Sequence, residues 1–262
     1  MKEWIIKELA TADLEDKRLL KRMDLILERL TESPMGSIKS AFRGWAEVIG
    51  AYRFFNNKKT SVDGILKPHQ DATLERIKEF ERIIFIQDTT EIDYTLKKKL
   101  EGTGPLSTIH RKGFFAHNQF IITPERVPLG VWNTTIYARN EAEHGKSDKR
   151  KQKPIEEKES FRWLQGYKEA CDLKERAPEV DVVLCGDREN DIYEVFQECH
   201  QRKAAGRSSA DFVIRSCYNR VLKQENHKKK VEDVKINLKL FEHDLKFPEK
   251  NQPCLVPIVP LS

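Results

Sequence analysis

Two short segments carry the residue types best suited to chemistry: Ile83-Ile84-Phe85-Ile86-Gln87-Asp88-Thr89-Thr90 and Val182-Val183-Leu184-Cys185-Gly186-Asp187-Arg188-Glu189-Asn190-Asp191. Each is an apolar, β-branched run that ends on an aspartate. A continuous apolar run of this length reads as a buried strand of a covered sheet. An aspartate at the carboxyl end of such a strand stands at the sheet edge, where open α/β sheets place their ligands. If the two strands are neighbours, Asp88 and Asp187 come close enough to hold a divalent metal between them. The chemistry that follows is metal-dependent hydrolysis or transfer at phosphates.

The elements that must position these acids can be read from the hydrophobic period. Residues 1–80 read as helical. Leu19, Met23, Ile26, Leu27 and Leu30 recur on one helix face, while Lys17, Arg18, Lys21, Arg22 and Arg29 fill the rest. Asp13 is the expected cap before this helix, and Ser33-Pro34-Met35-Gly36 the expected break after it. A second helix places Ala41, Trp45, Val48, Ile49 and Tyr52 on one side. Asn56-Asn57-Lys58-Lys59 reads as a turn. Thr60 or Ser61 then caps a third helix that Pro68 bends or interrupts.

From Arg82 the period changes. Residues 82–87, 117–123 and 129–138 read as strands, with a basic loop at Thr108-Ile109-His110-Arg111-Lys112-Gly113. The lysine-rich run 140–158 reads as a mobile surface loop. A helix over 156–177 follows, with Leu164, Tyr167 and Cys171 inward, stopped by Pro178. Strand 181–185, a helix over 191–204 and a strand at 212–215 complete the set. Three strands, a helix, a strand, a helix and a strand is the order of the ribonuclease-H-like fold, in which the first and fourth strands lie parallel and adjacent. The expected architecture is therefore α/β: a helical module over 1–80, a mixed-sheet domain over 81–220, and a less regular region over 221–262. In that last region 223–230 reads as a charged loop and 234–240 as a strand or weak helix. Its final residues, 254–262, fit neither pattern because of their prolines.

Bulk properties exclude several classes. The 262 residues carry a net charge of +5 with a pI of about 8.8, which permits a nucleic-acid partner without requiring one. The apolar stretches are too short to cross a bilayer, and no basic-then-apolar segment opens the chain, so a cytoplasmic setting is expected. The five cysteines are scattered and form no C-x-x-C pair, consistent with a reduced compartment and no structural zinc.

Several motifs in order resemble the bacterial DDE cut-and-paste transposases of the insertion-sequence-four family, transposon Tn-five type. They are Gly50-Ala51-Tyr52-Arg53-Phe54, Asp88-Thr89-Thr90, Glu157-Lys158-Glu159-Ser160, Trp163-Leu164 and Cys185-Gly186-Asp187-Arg188-Glu189-Asn190-Asp191. The resemblance covers roughly residues 1–220. It implies an amino-terminal domain that recognises transposon-end duplex DNA, joined to a ribonuclease-H-like catalytic domain. It also implies Asp88 and Asp187 as catalytic ligands of Mg2+ or Mn2+, in sequential phosphoryl transfers. The family's third acid lies in a tyrosine-arginine-glutamate-lysine motif on a later helix, and no such motif follows Asp187. The expectation is a truncated transposase with impaired or absent catalysis, or else a non-catalytic DNA-binding regulator. Either form could pair with itself or with a full-length transposase. An active nuclease would have to recruit Glu189 or Asp191 instead.

The expected DNA contacts are Arg18, Arg22, Arg43, Arg53, Arg111, Lys112, Arg188 and Arg215. Against them stands the interleaving of Lys17, Arg18, Lys21 and Arg22 with Glu15, Asp16, Asp24 and Glu28, which also describes a simply solvated helix. Arg43 and Arg53 are better placed for phosphate. His117, Trp45, Trp132 and Trp163 read as packing residues, and Cys185 as a small buried side chain.

Overall fold

In the computed structural model the described residues are 2–96, 100–108, 110–141, 153–218, 221–224 and 227–230. They fall into two compact units: Met1–Phe80 with Pro128–Asn133, and Glu81–Val127 with Thr134–Ser262.

The first unit holds five helices: α1 (Glu3–Glu8), α2 (Lys17–Glu32), α3 (Ile38–Ala41), α4 (Trp45–Phe55) and α5 (Val62–Ile77). The cap of α2 is Asp16, not Asp13: its carboxylate accepts the Arg18 N–H. Asp13 instead accepts the Glu15 N–H in the turn before it. Ser61 caps α5 by accepting the Gly64 N–H, and the helix runs on through Pro68. A proline seven residues into a helix lacks one ladder donor; Pro68 and, further along, Thr73 are both buried. The core comprises Leu14, Leu19, Met23, Ile26, Phe42, Val48, Ala51 and Phe54. Two expectations need correcting. Arg29 is buried, with its guanidinium on Glu47 of α4 at 3.0 and 3.1 Å. Trp45 does not pack: it opens α4 with 68% of its surface exposed.

In the same unit, α5 grips residues 128–133 by their main chain. Gln70 donates to the Trp132 carbonyl, Arg76 donates to the Leu129 carbonyl, and His69 Nε2 accepts the Val131 N–H. That acceptor role leaves the His69 proton on Nδ1, where it meets Glu8.

The second unit is built on a six-stranded sheet of β1 (Arg82–Asp93), β2 (Gly104–Pro105), β3 (Lys112–Ile122), β4 (Pro128–Tyr137), β5 (Asp181–Gly186) and β6 (Asp211–Ile214). Its path is β2-β3-β1-β5-β6, with β4 also pairing β3. β1 is antiparallel to β3 and parallel to β5, and β5 is parallel to β6. Two helices, α6 (Phe161–Arg176) and α7 (Tyr193–Ala204), complete it. α6 sets Trp163, Leu164, Tyr167, Ala170, Cys171 and Leu173 in the interior, and β1 and β5 contribute Ile83, Phe85, Val182 and Leu184. The order and pairing are those of a ribonuclease-H-like sheet following a helical module.

The differences from expectation lie at element ends. β1 runs six residues beyond 87 because its antiparallel partner continues to Asp93↔Gly113 and keeps supplying hydrogen bonds. A 3-10 turn at Ile155–Glu157 precedes α6, which starts at Phe161, not at 156. The described part of the charged segment 223–230 is strand and not loop: β7 (Val221–Gln224) and β8 (His227–Lys230) pair antiparallel. The expected loop residues 142–152 and the segments 234–240 and 254–262 lie outside the described residues.

Candidate functional site: an acidic strand edge beside a half-buried arginine

The parallel β1–β5 ladder ends at Ile86↔Cys185. Asp88 and Asp187 each follow that pair by two residues. Asp88 is therefore inside a strand and not at its end, but it sits where the parallel neighbour has stopped. On its other side it is opposite Asn118 of β3. Both aspartates are exposed. Each spends one oxygen on a neighbouring main-chain N–H: Asp88 Oδ1 accepts the Thr89 N–H within β1, and Asp187 Oδ1 accepts the Glu189 N–H in the 3-10 turn, both at 2.8 Å. The second oxygen of each takes no hydrogen bond among the described residues, which leaves it open to a cation.

Behind this edge lies a network that the sequence reading passed over. Arg162, on the first turn of α6 with 11% of its side chain exposed, donates to Thr89 Oγ1 at 3.2 Å, to the Glu159 carbonyl at 2.7 Å and to Glu189 Oε2 at 2.8 Å. It thus ties the residue after Asp88 to the 3-10 turn Arg188–Asn190 that follows Asp187. Thr89 Oγ1 also meets His117 Nδ1 at 2.9 Å. His117 Nε2 lies 3.3 Å from Gln87 Oε1, whose amide nitrogen donates to the Trp163 carbonyl. His117 is packed, as expected, with its ring edge-on to Trp163 at 4.7 Å. Burial, and then the Arg162 charge, push it down to about 4, so it is neutral at physiological pH. The signal that could have exposed Arg162 was its place between Glu159-Ser160 and Trp163-Leu164: a cation at the head of a helix aimed at two acidic segments.

A stacked wall flanks the network. The Arg139 guanidinium lies over the Phe115 ring at 4.2 Å, Phe115 stacks on Tyr137 at 5.2 Å, and Arg162 lies 5.4 Å from the Tyr137 centroid. Glu159 takes a two-pronged bond from Arg139 at 2.7 and 2.8 Å. Cys185 is inert, its thiol pushed up to about 11 by burial.

The two spare acids differ: Asp191 is engaged by main chain, whereas Glu189, with 60% of its side chain exposed, gives one oxygen to Arg162. Asp191 is buried, and its Oδ2 accepts the Cys217 and Tyr218 N–H groups at 2.6 and 3.0 Å. Glu189 is held by Arg162. Among the described residues there is no group of three or more His, Cys, Asp or Glu arranged to hold a metal. Asp88 and Asp187 are exposed carboxylates, each with an oxygen of the hard type that Mg2+ or Mn2+ takes.

The expected DNA contacts divide by what neutralises them. Arg18 is paired with Asp16, Arg43 with Glu32, Arg111 with both Glu91 and Asp93, and Lys112, the first residue of β3, with Glu141. Bonds from Thr95 and then Arg111 hold Asp93 down at about 2. Arg22, Arg53, Arg188 and Arg215 make no ion pair among the described residues. Arg188 lies in the turn after Asp187, and the Arg215 N–H donates to the Gly186 carbonyl, so both stand at the acidic edge.

A family model described as transposase DNA-binding matches residues 1–60, the segment that spans α1 to α4. The match supports a transposase with DNA as its partner. No described helix is long and apolar enough to cross a membrane.

Proposed function

We propose that the protein is a transposase of the insertion-sequence-four, Tn-five type. In this reading residues 1–80 bind transposon-end duplex DNA, 81–220 form the catalytic domain, and 221–262 lie outside both. The observation that carries it is the equal offset of Asp88 and Asp187 beyond the last β1–β5 pair, in a chain whose first 60 residues match transposase DNA-binding. The two aspartates would hold Mg2+ or Mn2+. Such an ion, when bound, activates an attacking oxygen and stabilises charge on a phosphodiester. The chain's own contribution is positional. Arg162 fixes Thr89 of β1 against Glu189 of the 3-10 turn, Arg188 and Arg215 set positive charge at the edge where a phosphate backbone would pass, and neutral His117 holds Thr89 in place.

A second reading is a DNA-binding regulator that occupies transposon ends without cutting, alone or paired with a full-length transposase. The commitment of the buried Asp191 to backbone N–H groups favours it, since that withholds one candidate third carboxylate. Incubating the purified chain with end-containing duplex and Mg2+ or Mn2+ separates the two. Nicking that disappears in Asp88→Ala supports the transferase. Binding without nicking supports the regulator. Absence of binding contradicts both.

A further inference from the structure

We infer that Asn190 is a positioning residue for the proposed cation site: its buried carboxamide, wedged against Gly186 at the end of β5, sets the 3-10 turn that carries Asp187 to the acidic edge. The inference rests on the proposed holding of Mg2+ or Mn2+ by Asp88 and Asp187. It adds a residue that neither touches the ion nor supplies a charge.

Asp187 is exposed, and among the described residues its carboxylate is bonded only to the Glu189 N–H, so packing of its own does not hold it. Its place is inherited from the segment around it. On one side the Gly186 carbonyl accepts the Arg215 N–H at 3.1 Å, which ties the end of β5 to the residue after β6. On the other, the buried Asp191 is clamped by the Cys217 and Tyr218 N–H groups. Between these clamps runs the turn Arg188–Asn190, closed by the Asn190 N–H on the Asp187 carbonyl at 3.2 Å. Arg188 and Glu189 are exposed, and Asn190 is the residue of this turn that is fully buried.

Two observations single Asn190 out. A Cβ built at Gly186 would collide with Nδ2, Cγ and Cβ of Asn190, so this side chain occupies the space that any other residue at 186 would fill. The two positions interlock: the bare backbone of one is the seat of the other. In addition, neither Oδ1 nor Nδ2 of Asn190 has a hydrogen-bond partner among the described residues, although both are buried. A carboxamide so placed costs stability, and an apolar side chain could fill a core site without that cost. Local rules are broken in this way chiefly where function constrains the residue. Here the planar carboxamide is thin enough to pass Gly186, whereas a tetrahedral, branched group of the same length would displace the turn and Asp187 with it. Such displacements matter because a site must be held to within about 0.5 Å of its productive geometry.

The test is a Mn2+ titration of the full chain, read by electron paramagnetic resonance, with thermal melts of every variant. Asn190→Ala is expected to melt close to the wild type, since it removes two unpartnered polar atoms along with their packing, yet to bind Mn2+ about tenfold more weakly. Gly186→Ala should weaken binding at least as much. The double variant Gly186→Ala/Asn190→Ala should recover most of the affinity, because the new methyl group enters the space the carboxamide leaves. Cys199→Ala, which trims a buried side chain on α7, is the control and should lower melting while leaving Mn2+ affinity unchanged. If Gly186→Ala does not fold, Asn190→Ala and the double variant still decide. If Asn190→Ala unfolds or binds Mn2+ as the wild type does, or if the double variant binds no more tightly than Asn190→Ala, Asn190 only packs and the inference falls alone. If the wild type binds no Mn2+, the inference falls together with the cation site.

Discussion

Asp88 and Asp187 lie two residues beyond the same rung of the parallel β1–β5 ladder, Ile86↔Cys185, and each turns one oxygen back onto a backbone N–H while leaving the other open. This matched offset comes from the strand register and not from any direct bond between them. Asp88 continues β1 past that rung, whereas Asp187 has already left β5 and caps the 3-10 turn Arg188–Asn190. Arg162 then braces Thr89 of β1 and Glu189 of the 3-10 turn together.

Asp191 and the acid pair are predicted to fail in opposite ways. Asp191→Ala leaves the Cys217 and Tyr218 N–H groups without their buried acceptor and should cost about 2–3 kcal/mol in urea unfolding. Asp88→Ala and Asp187→Ala remove exposed carboxylates bonded only to adjacent main-chain N–H groups and should cost about 1 kcal/mol or less. Equal losses from all three would show that the pair is structural.

His117 predicts an acid-sensitive step in stability. Its folded value, about 4, lies below the ordinary 6.5, so the unfolded chain binds the proton more readily. The contribution is complete above about 6.5 and is lost as pH falls toward 4, amounting to up to about 3 kcal/mol. Unfolding free energies measured between pH 7 and 4.5 should fall less steeply in His117→Asn than in the wild type. Identical slopes would place the sensitivity in the carboxylates.

How much of this was legible in the sequence depends on whether local pattern or tertiary partner decides. The β1 and β5 runs, the inward Leu164, Tyr167 and Cys171 of α6, and the order of strands and helices follow from hydrophobic period, and the parallel β1–β5 pair follows from that order. What was missed depends on a partner remote in sequence. β1 continues past Asp88 because β3 is there to pair with it, and Asp191 is consumed by main chain 26 and 27 residues away. Arg29 is buried because Glu47 meets it, and no period on α2 alone carries that information. Trp45 was misread because an aromatic at helical spacing usually packs, whereas here it heads α4 facing outward.

Arg162 is predicted to act as a positioning residue. Arg162→Ala should lower stability by about 1–3 kcal/mol through loss of three hydrogen bonds. Arg162→Lys keeps the charge but cannot reproduce the three-way fork, so it should restore only part of that stability. The readout specific to positioning is cation affinity at Asp88 and Asp187. It should weaken in both variants, even in Arg162→Lys compared at equal fraction folded. Unchanged affinity would reduce Arg162 to a structural brace.

The most direct test of the acid pair is a Mn2+ titration of the full chain, followed by the loss of free-ion electron paramagnetic resonance signal, in the wild type, Asp88→Asn and Asp187→Asn. The account predicts one site of about millimolar affinity in the wild type, as expected for a partial carboxylate set, weakened tenfold or more by either substitution. Binding that survives both substitutions unchanged, or no binding in the wild type, would contradict it.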